Sequence, residues 1–319
     1  MHMIETLERL EPLLRCPATG KPLVRRDDHY QTGEEQPHIY PIIDGKPVLI
    51  DFSRSVLSLD SVCASAAGSP IERPGQNLVR RRFKRMLSPE KKSTRDNVET
   101  LLANLPQAAS ASVLVIGGGT VGQGMEALYA HPGASIIALD IYQSANVQLI
   151  ADAHAIPLCD EAVDAVVIQA VLEHVVDPHT VVNEIWRVLR PDGIVYAETP
   201  FLQQVHEGPY DFMRFTESGH RYLFRKFSLI GSGVSGGPGT QLLWSIDYFF
   251  RSLFRSRLGG KLFKAAFAWL QLLDPLMRRD YASDSASGTY FLGRKSDRVL
   301  PPRDIVQFYR GAQVQHEAD

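Results

Sequence analysis

From Ser112 onward, short apolar runs alternate with segments of helical period. VLVIGG, SIIALD, DAVVIQA and GIVYAET are apolar enough for strands buried on both faces, while MEALYA and PHTVVNEIWRVL repeat apolar residues at helical spacing. Such alternation predicts a parallel sheet with covering helices. In the second helix Asp177 supplies an N-cap and Pro178 the first turn. Val181, Val182, Ile185, Trp186 and Leu189 form its apolar stripe. FSLIGSGVSGG and GTYFLGRK read as two further strands, separated by an aromatic, helical insertion over residues 241–279. In that insertion Leu242, Leu243, Ile246, Phe249, Phe250, Leu253 and Phe254 share one helix face and Arg251 and Arg255 lie off it; KLFKAAFAWLQLLDPLMRR repeats the combination. Two readings follow: a lid packed over a site, or a helix lying at a membrane interface.

The N-terminal part has a different pattern. Residues 3–14 read as helix, then short β-like runs alternate with Gly and Pro turns up to Asp51. Residues 52–76 are rich in Ser, Ala, Gly and Pro without a period, as in a linker. The expected organisation is a small β-rich module (1–51), a linker (52–76), a main domain (77–296) and a peripheral tail (297–319). Near its start, RRRFKR (Arg80 to Arg85) sits on a predicted helix with Val79, Phe83, Met86 and Leu87 on one face. A solvated surface, anionic lipid, a phosphorylated acceptor and RNA are all open to its basic side, but no interleaved aromatics favour base stacking.

Composition narrows the class. A chain of 319 residues with net charge −2 fits a globular protein and not one that coats nucleic acid. No run approaches a membrane span, and the acidic N-terminus does not read as a secretory leader, so a cytoplasmic location is expected. Cys16, Cys63 and Cys159 are scattered and give neither a disulfide framework nor a closed zinc site.

Candidate chemistry begins at Gly117, Gly119 and Gly122, spaced G-x-G-x-x-G directly after the first strand of the alternating region. This loop suits a phosphate of a nicotinamide cofactor, but also any ligand that must approach backbone closely. Asp140, closing SIIALD, can grip a ribose in either case.

The stretch from Ala151 to Pro200 decides between them by resemblance. It is similar to the type 11 group of class I S-adenosylmethionine-dependent methyltransferases, through Asp152 and Ala153, then LEH (Leu172 to His174), then RVLRPDG (Arg187 to Gly193) and a further strand. The resemblance, over roughly residues 98–200, implies a doubly wound, mostly parallel, seven-stranded Rossmann-like α/β sheet. Its last strand, near Thr289 to Arg294, would run antiparallel. It implies S-adenosylmethionine as cofactor, held by Gly117, Gly119, Gly122, Asp140, Asp152, Ala153 and Gln169, and methyl transfer to an acceptor oxygen or nitrogen. Val115 departs from the pattern, since the family often has an acidic residue there. Rival readings are a non-catalytic binding module, an NAD(P)-dependent oxidoreductase and an RNA methyltransferase.

Two further segments carry resemblances. LLRCPATGKPL and YPIIDGKPVLI resemble the small zinc ribbon that activates some tRNA and protein methyltransferases. Thr19 stands where a second cysteine would complete the ligand pair, so a metal-free module is expected and no residue is assigned to metal. After the fifth strand, HEGPYDFMRFT resembles wording in a bacterial subset of type 11 enzymes of polysaccharide and lipid pathways. Ligands of doubly wound folds sit beyond the strands' carboxyl ends, which places this segment beside the acceptor. A small-molecule, glycan or lipid-linked acceptor is expected, with His206 as proton acceptor, Asp211 orienting it and Arg214 holding an anionic group, and Glu173 and His174 in reserve. Peripheral membrane contact would run through 241–279.

Overall fold

The computed structural model describes residues 6–64, 92–106 and 110–313. The basic run at Arg80–Arg85 lies outside the described residues. Eleven strands form one sheet: β1 (Leu23–Arg25), β2 (His29–Thr32), β3 (Ile39–Ile43), β4 (Lys46–Leu49), β5 (Ala111–Ile116), β6 (Ala134–Asp140), β7 (Leu149–Ala151), β8 (Val163–Gln169), β9 (Leu189–Pro200), β10 (Phe227–Gly236) and β11 (Gly288–Lys295). Their order is β1-β2-β3-β4-β7-β6-β5-β8-β9-β11-β10. Every neighbouring pair from β4 to β9 is parallel, and the pairs at both ends are antiparallel.

This corrects the expected seven-stranded, mostly parallel sheet. β5, β6, β8, β9, β10 and β11 fall on the six runs read as strands, and β11 is antiparallel to β9; β7 is an additional short strand. The difference is that β4 pairs along β7, matching Val48 to Ile150 and Leu49 to Ala151, so the N-terminal meander continues the sheet. An uncovered edge strand would leave backbone donors and acceptors unpaired. Here β4 satisfies that edge, and Leu14 bridges to Leu158 nearby.

Strand alternation builds a core on each face. Leu114, Ile116 and Ile137 pack with Val181 and Ile185 of the helix Pro178–Val188, and with Leu10, Leu14 and Tyr30 of the N-terminal meander. Val113, Val115 and Ile136 face the other way, onto Val98 and Leu101 of the helix Lys92–Ala103 and onto Leu128. Asp177 caps the helix Pro178–Val188 by accepting from the backbone N–H of His179 and Thr180. The N-terminal turn keeps its shape by hydrogen bonding: the N–H groups of Thr19 and Gly20 both donate to the Cys16 carbonyl, and Cys16 Sγ lies 3.1 Å from Tyr40 Oη.

The insertion forms the helices Pro238–Phe254 and Arg257–Ala266, a 3-10 segment Ala268–Leu276 and the helix Arg279–Asp284. Its apolar face is divided: Ile246 and Phe250 are half-buried, and Phe250 stacks on Phe263 with centroids 3.5 Å apart. Leu243 is buried, but Phe249 is 63 % exposed and Leu253, Phe254, Leu258, Leu262 and Leu272 are also exposed. The polar side docks on the chain after β9: Gln204 Nε2 donates to Ser245 Oγ at 2.9 Å and Tyr248 Oη to the Val205 carbonyl at 2.7 Å. The tail holds a short helix, Pro302–Phe308, and returns to Asp284 through Tyr309 Oη and the Ala312 N–H.

Candidate active site

The strand order reverses between β5 and β8, and there the carboxyl ends of β5 to β8 open into one cavity of about 480 Å³. The glycine loop forms its floor. Gly117 leaves β5 at φ +77°, and a Cβ there would meet Val171 Cγ2 at 2.4 Å. A Cβ on Gly119 would meet Tyr142 Oη at 2.4 Å and Asp140 at 2.7 Å, and one on Gly122 would overlap Gln169 Oε1. The loop is a cradle that side chains would fill.

Asp140 closes this end. Its carboxylate accepts from the Gly119 N–H at 2.8 Å and the Ile141 N–H at 2.7 Å, which aims it across the loop. Asp152 lies at the next wall, bound to the His154 N–H at 3.0 Å, His154 Nδ1 at 2.6 Å and Ser55 Oγ at 2.5 Å. Burial alone would raise the Asp152 pKa; the hydrogen bonds from His154 and Ser55 outweigh it and hold the carboxyl below its ordinary value. The same contact raises the His154 pKa. Ala153 and Gln169 line the cavity too, so the structure gathers Gly117, Gly122, Asp140, Asp152, Ala153 and Gln169 on its walls, with Gly119 behind them bonded to Asp140.

Sequence reasoning missed two contributors. Val56, Leu57, Ser61 and Val62, in the segment read as a linker, form part of the wall, because β4 delivers the chain to the cavity's edge. Glu198, near the end of β9, is buried on the floor and accepts from Thr94 Oγ1 at 2.5 Å, Tyr196 Oη at 2.5 Å and Gln169 Nε2 at 3.0 Å. Burial, then the Glu198 charge, push the Tyr196 phenol far up, so it stays a neutral donor. Val115 and Glu198 both line the cavity, Val115 from β5 and Glu198 from β9.

A further part of the lining belongs to the chain after β8 and β9. His174, His206, Glu207 and Tyr210 line it. His174 Nδ1 donates to the Tyr210 carbonyl at 2.7 Å, and the two imidazoles meet edge to face with centroids 4.9 Å apart. Burial, reinforced by the neighbouring His206, lowers the His174 pKa despite that hydrogen bond. Asp211 Oδ2 accepts from the His206 N–H at 2.9 Å and lies 3.2 Å from His206 Nδ1. Its burial would raise its pKa, but Arg214 and the His206 N–H hold the carboxyl down at about 2.

Arg214 is not among the residues that line the cavity. Its guanidinium is committed to the loop: Nε donates to the Gln203 carbonyl, Nη1 to Asp211 and the Met213 carbonyl, and Nη2 to Asp211 and the Gln204 carbonyl. All five N–H groups are thereby used, so the residue shapes the loop and has no donor left for an anionic acceptor.

Comparison with known proteins fits this geometry. Residues 114–197, from β5 to β9, match the family model of the methyltransferase domain. The match supports a methyltransferase domain of Rossmann-like fold in this segment, with S-adenosylmethionine as its cofactor. No curated protein matches the chain. Among solved structures, a Galdieria sulphuraria protein assigned as a sarcosine dimethylglycine methyltransferase is 18% identical, covering 65% of this chain and 87% of its own, with a TM-score of 0.44. Phosphoethanolamine N-methyltransferase 2 of Haemonchus contortus, solved with phosphomonomethylethanolamine and S-adenosylhomocysteine, is 15% identical over 65% of this chain and 54% of its own, with a TM-score of 0.42. The Burkholderia thailandensis 1,6-didemethyltoxoflavin-N1-methyltransferase is 16% identical over 72% and 95%, with a TM-score of 0.41.

Proposed function

We propose that the protein transfers a methyl group from S-adenosylmethionine to an oxygen or nitrogen of a small-molecule, glycan or lipid-linked acceptor. The observation that carries this reading is one cavity with two chemically distinct walls: the glycine cradle with Asp140 and Glu198, and the wall of His174, His206, Glu207 and Tyr210. The cofactor supplies an activated methyl on a sulfonium. Asp140 would hold its ribose, Asp152 and Ala153 its adenine end, and Glu198 the electropositive region of the cofactor. Positioning supplies much of the acceleration in such a transfer.

His206 is assigned as proton acceptor for a hydroxyl acceptor. Asp211 orients the imidazole from Nδ1, and Arg214 holds Asp211, so His206 is the catalytic residue and the other two are positioning residues. For the rival nicotinamide enzyme, the wall would instead need to serve hydride transfer, and the family match of β5 to β9 supports the methyltransferase reading.

The exposed part of the apolar face favours an acceptor met at a membrane surface. No helix among the described residues is long and apolar enough to cross a membrane. Over 241–279, seven cationic residues stand against two acidic ones, beside apolar side chains as exposed as Leu276 at 78 %. This combination suits anionic headgroups, and the first helix of the insertion, Pro238–Phe254, is bonded through Tyr248 to the loop after β9. The N-terminal meander is proposed as a metal-free ribbon that completes the cofactor wall. Flotation with vesicles containing anionic lipid tests the membrane reading: the wild type should float, and L253E/L262E should not. Failure of the wild type to float would leave only a soluble acceptor.

A further inference from the structure

We infer that Glu173, His174 and His206 form a binding site for a divalent first-row metal ion, with His174 and His206 on the lining of the cavity and Glu173 buried beside them. Among the described residues, one ligand atom from each lies within 4.8 Å of the others. Three ligands around such an ion at roughly 2.1 Å are roughly 3–3.5 Å apart, so a small rotation of the side chains closes the set. Two imidazoles and one carboxylate match the facial arrangement that leaves positions open for an exogenous oxygen.

The hydrogen bonds prepare both rings for this task. The Tyr210 carbonyl can only accept, so His174 Nδ1 carries the proton and Nε2 keeps its lone pair; that Nε2 is 3.7 Å from Glu173 Oε1. His206 Nδ1 likewise faces acceptors, the Gln204 carbonyl at 3.3 Å and Asp211 Oδ2 at 3.2 Å, which leaves its Nε2 as ligand. Outer partners of this kind fix the tautomer and orientation of metal-bound histidines. Glu173 is fully buried between backbone it also braces, its carbonyl accepting from the Phe212 and Met213 N–H groups. Glu207 adds a second observation: it lines the same cavity, and its Oε2 is buried without a hydrogen-bond partner among the described residues.

A cation held here would take over the part assigned to His206, by lowering the pKa of a bound acceptor oxygen. Only that role rests on the methyl-transfer reading; the site itself does not. The test is titration of chelator-treated protein with Co2+ alone, followed by its visible absorption, with no cofactor or acceptor present. The wild type should bind one equivalent, and H174A and H206A should each bind at least about 100-fold more weakly while keeping their melting temperatures within a few degrees of wild type. H29A, altered on the remote meander, should bind as wild type. No Co2+ uptake by the wild type, or equal uptake by all variants, overturns the inference. Co2+ binding without methyl transfer would sink the proposed activity and leave the site standing. Methyl transfer without Co2+ binding would do the reverse.

Discussion

The two ends of the cavity are built by different means. The cofactor end is made of strand termini and a glycine loop, where backbone does the shaping: three glycines sit where a Cβ would collide with Val171, Tyr142 or Gln169. The acceptor end is a loop with little regular structure, held in shape by side chains, above all by the five donors of Arg214. A backbone-built site leaves few solutions for a shared cofactor. A side-chain-built wall can be rewritten residue by residue, which is where acceptor choice belongs.

If the ends are separable, substitutions should split cofactor binding from turnover. The largest difference between related ligands is expected at Glu198. Its carboxylate lies under the cavity, so E198Q should weaken binding of cationic S-adenosylmethionine roughly tenfold more than that of neutral-sulfur S-adenosylhomocysteine. Equal losses for the two ligands, measured by calorimetry, would reduce Glu198 to a packing role.

A smaller effect is expected where the N-terminal segment closes the cofactor end, at Asp152 and His154. The folded His154 pKa is raised above 6.5, so its contribution is complete below that value and fades as pH climbs through the folded pKa. The folded Asp152 pKa lies below 3.8, so its contribution is complete above that value and fades as pH falls through the folded pKa. The pair therefore stabilises most between about pH 4 and 6.5. H154A should lower the melting temperature by roughly 2 °C near pH 5.5, about 1 kcal/mol, and by less at pH 8.5. A deficit that grows with pH would contradict the assignment.

Legibility followed the same division. The loop, Asp140 and the capped helix after Asp177 are local patterns, each readable within a dozen residues, because strand period and capping act over that range. Glu198 was not readable: in YAETP it looks like a polar residue ending a strand, and its partners Thr94 and Gln169 come from distant parts of the chain. Ser55 was hidden for the same reason, since its segment has no period and becomes a wall only once β4 pairs with β7. The commitment of Arg214 to its own loop is not legible in the sequence, which does not say where a guanidinium spends its donors. The insertion's apolar stripe is legible in the sequence, but how it divides between buried Leu243 and exposed Phe249 and Leu253 is not, because docking through Ser245 and Tyr248 sets it.

Cofactor holding and acceptor chemistry are proposed to reside on different parts of the cavity lining. The direct measurement is S-adenosylmethionine affinity and methyl-transfer rate in parallel for D140A and H206A. Loss of the Asp140 carboxylate removes a charge-assisted acceptor, and D140A should bind the cofactor at least about tenfold more weakly. H206A should bind it as wild type does and lose about 100-fold or more in kcat. Wild-type turnover in H206A, or unchanged cofactor affinity in D140A, would contradict the division of the site.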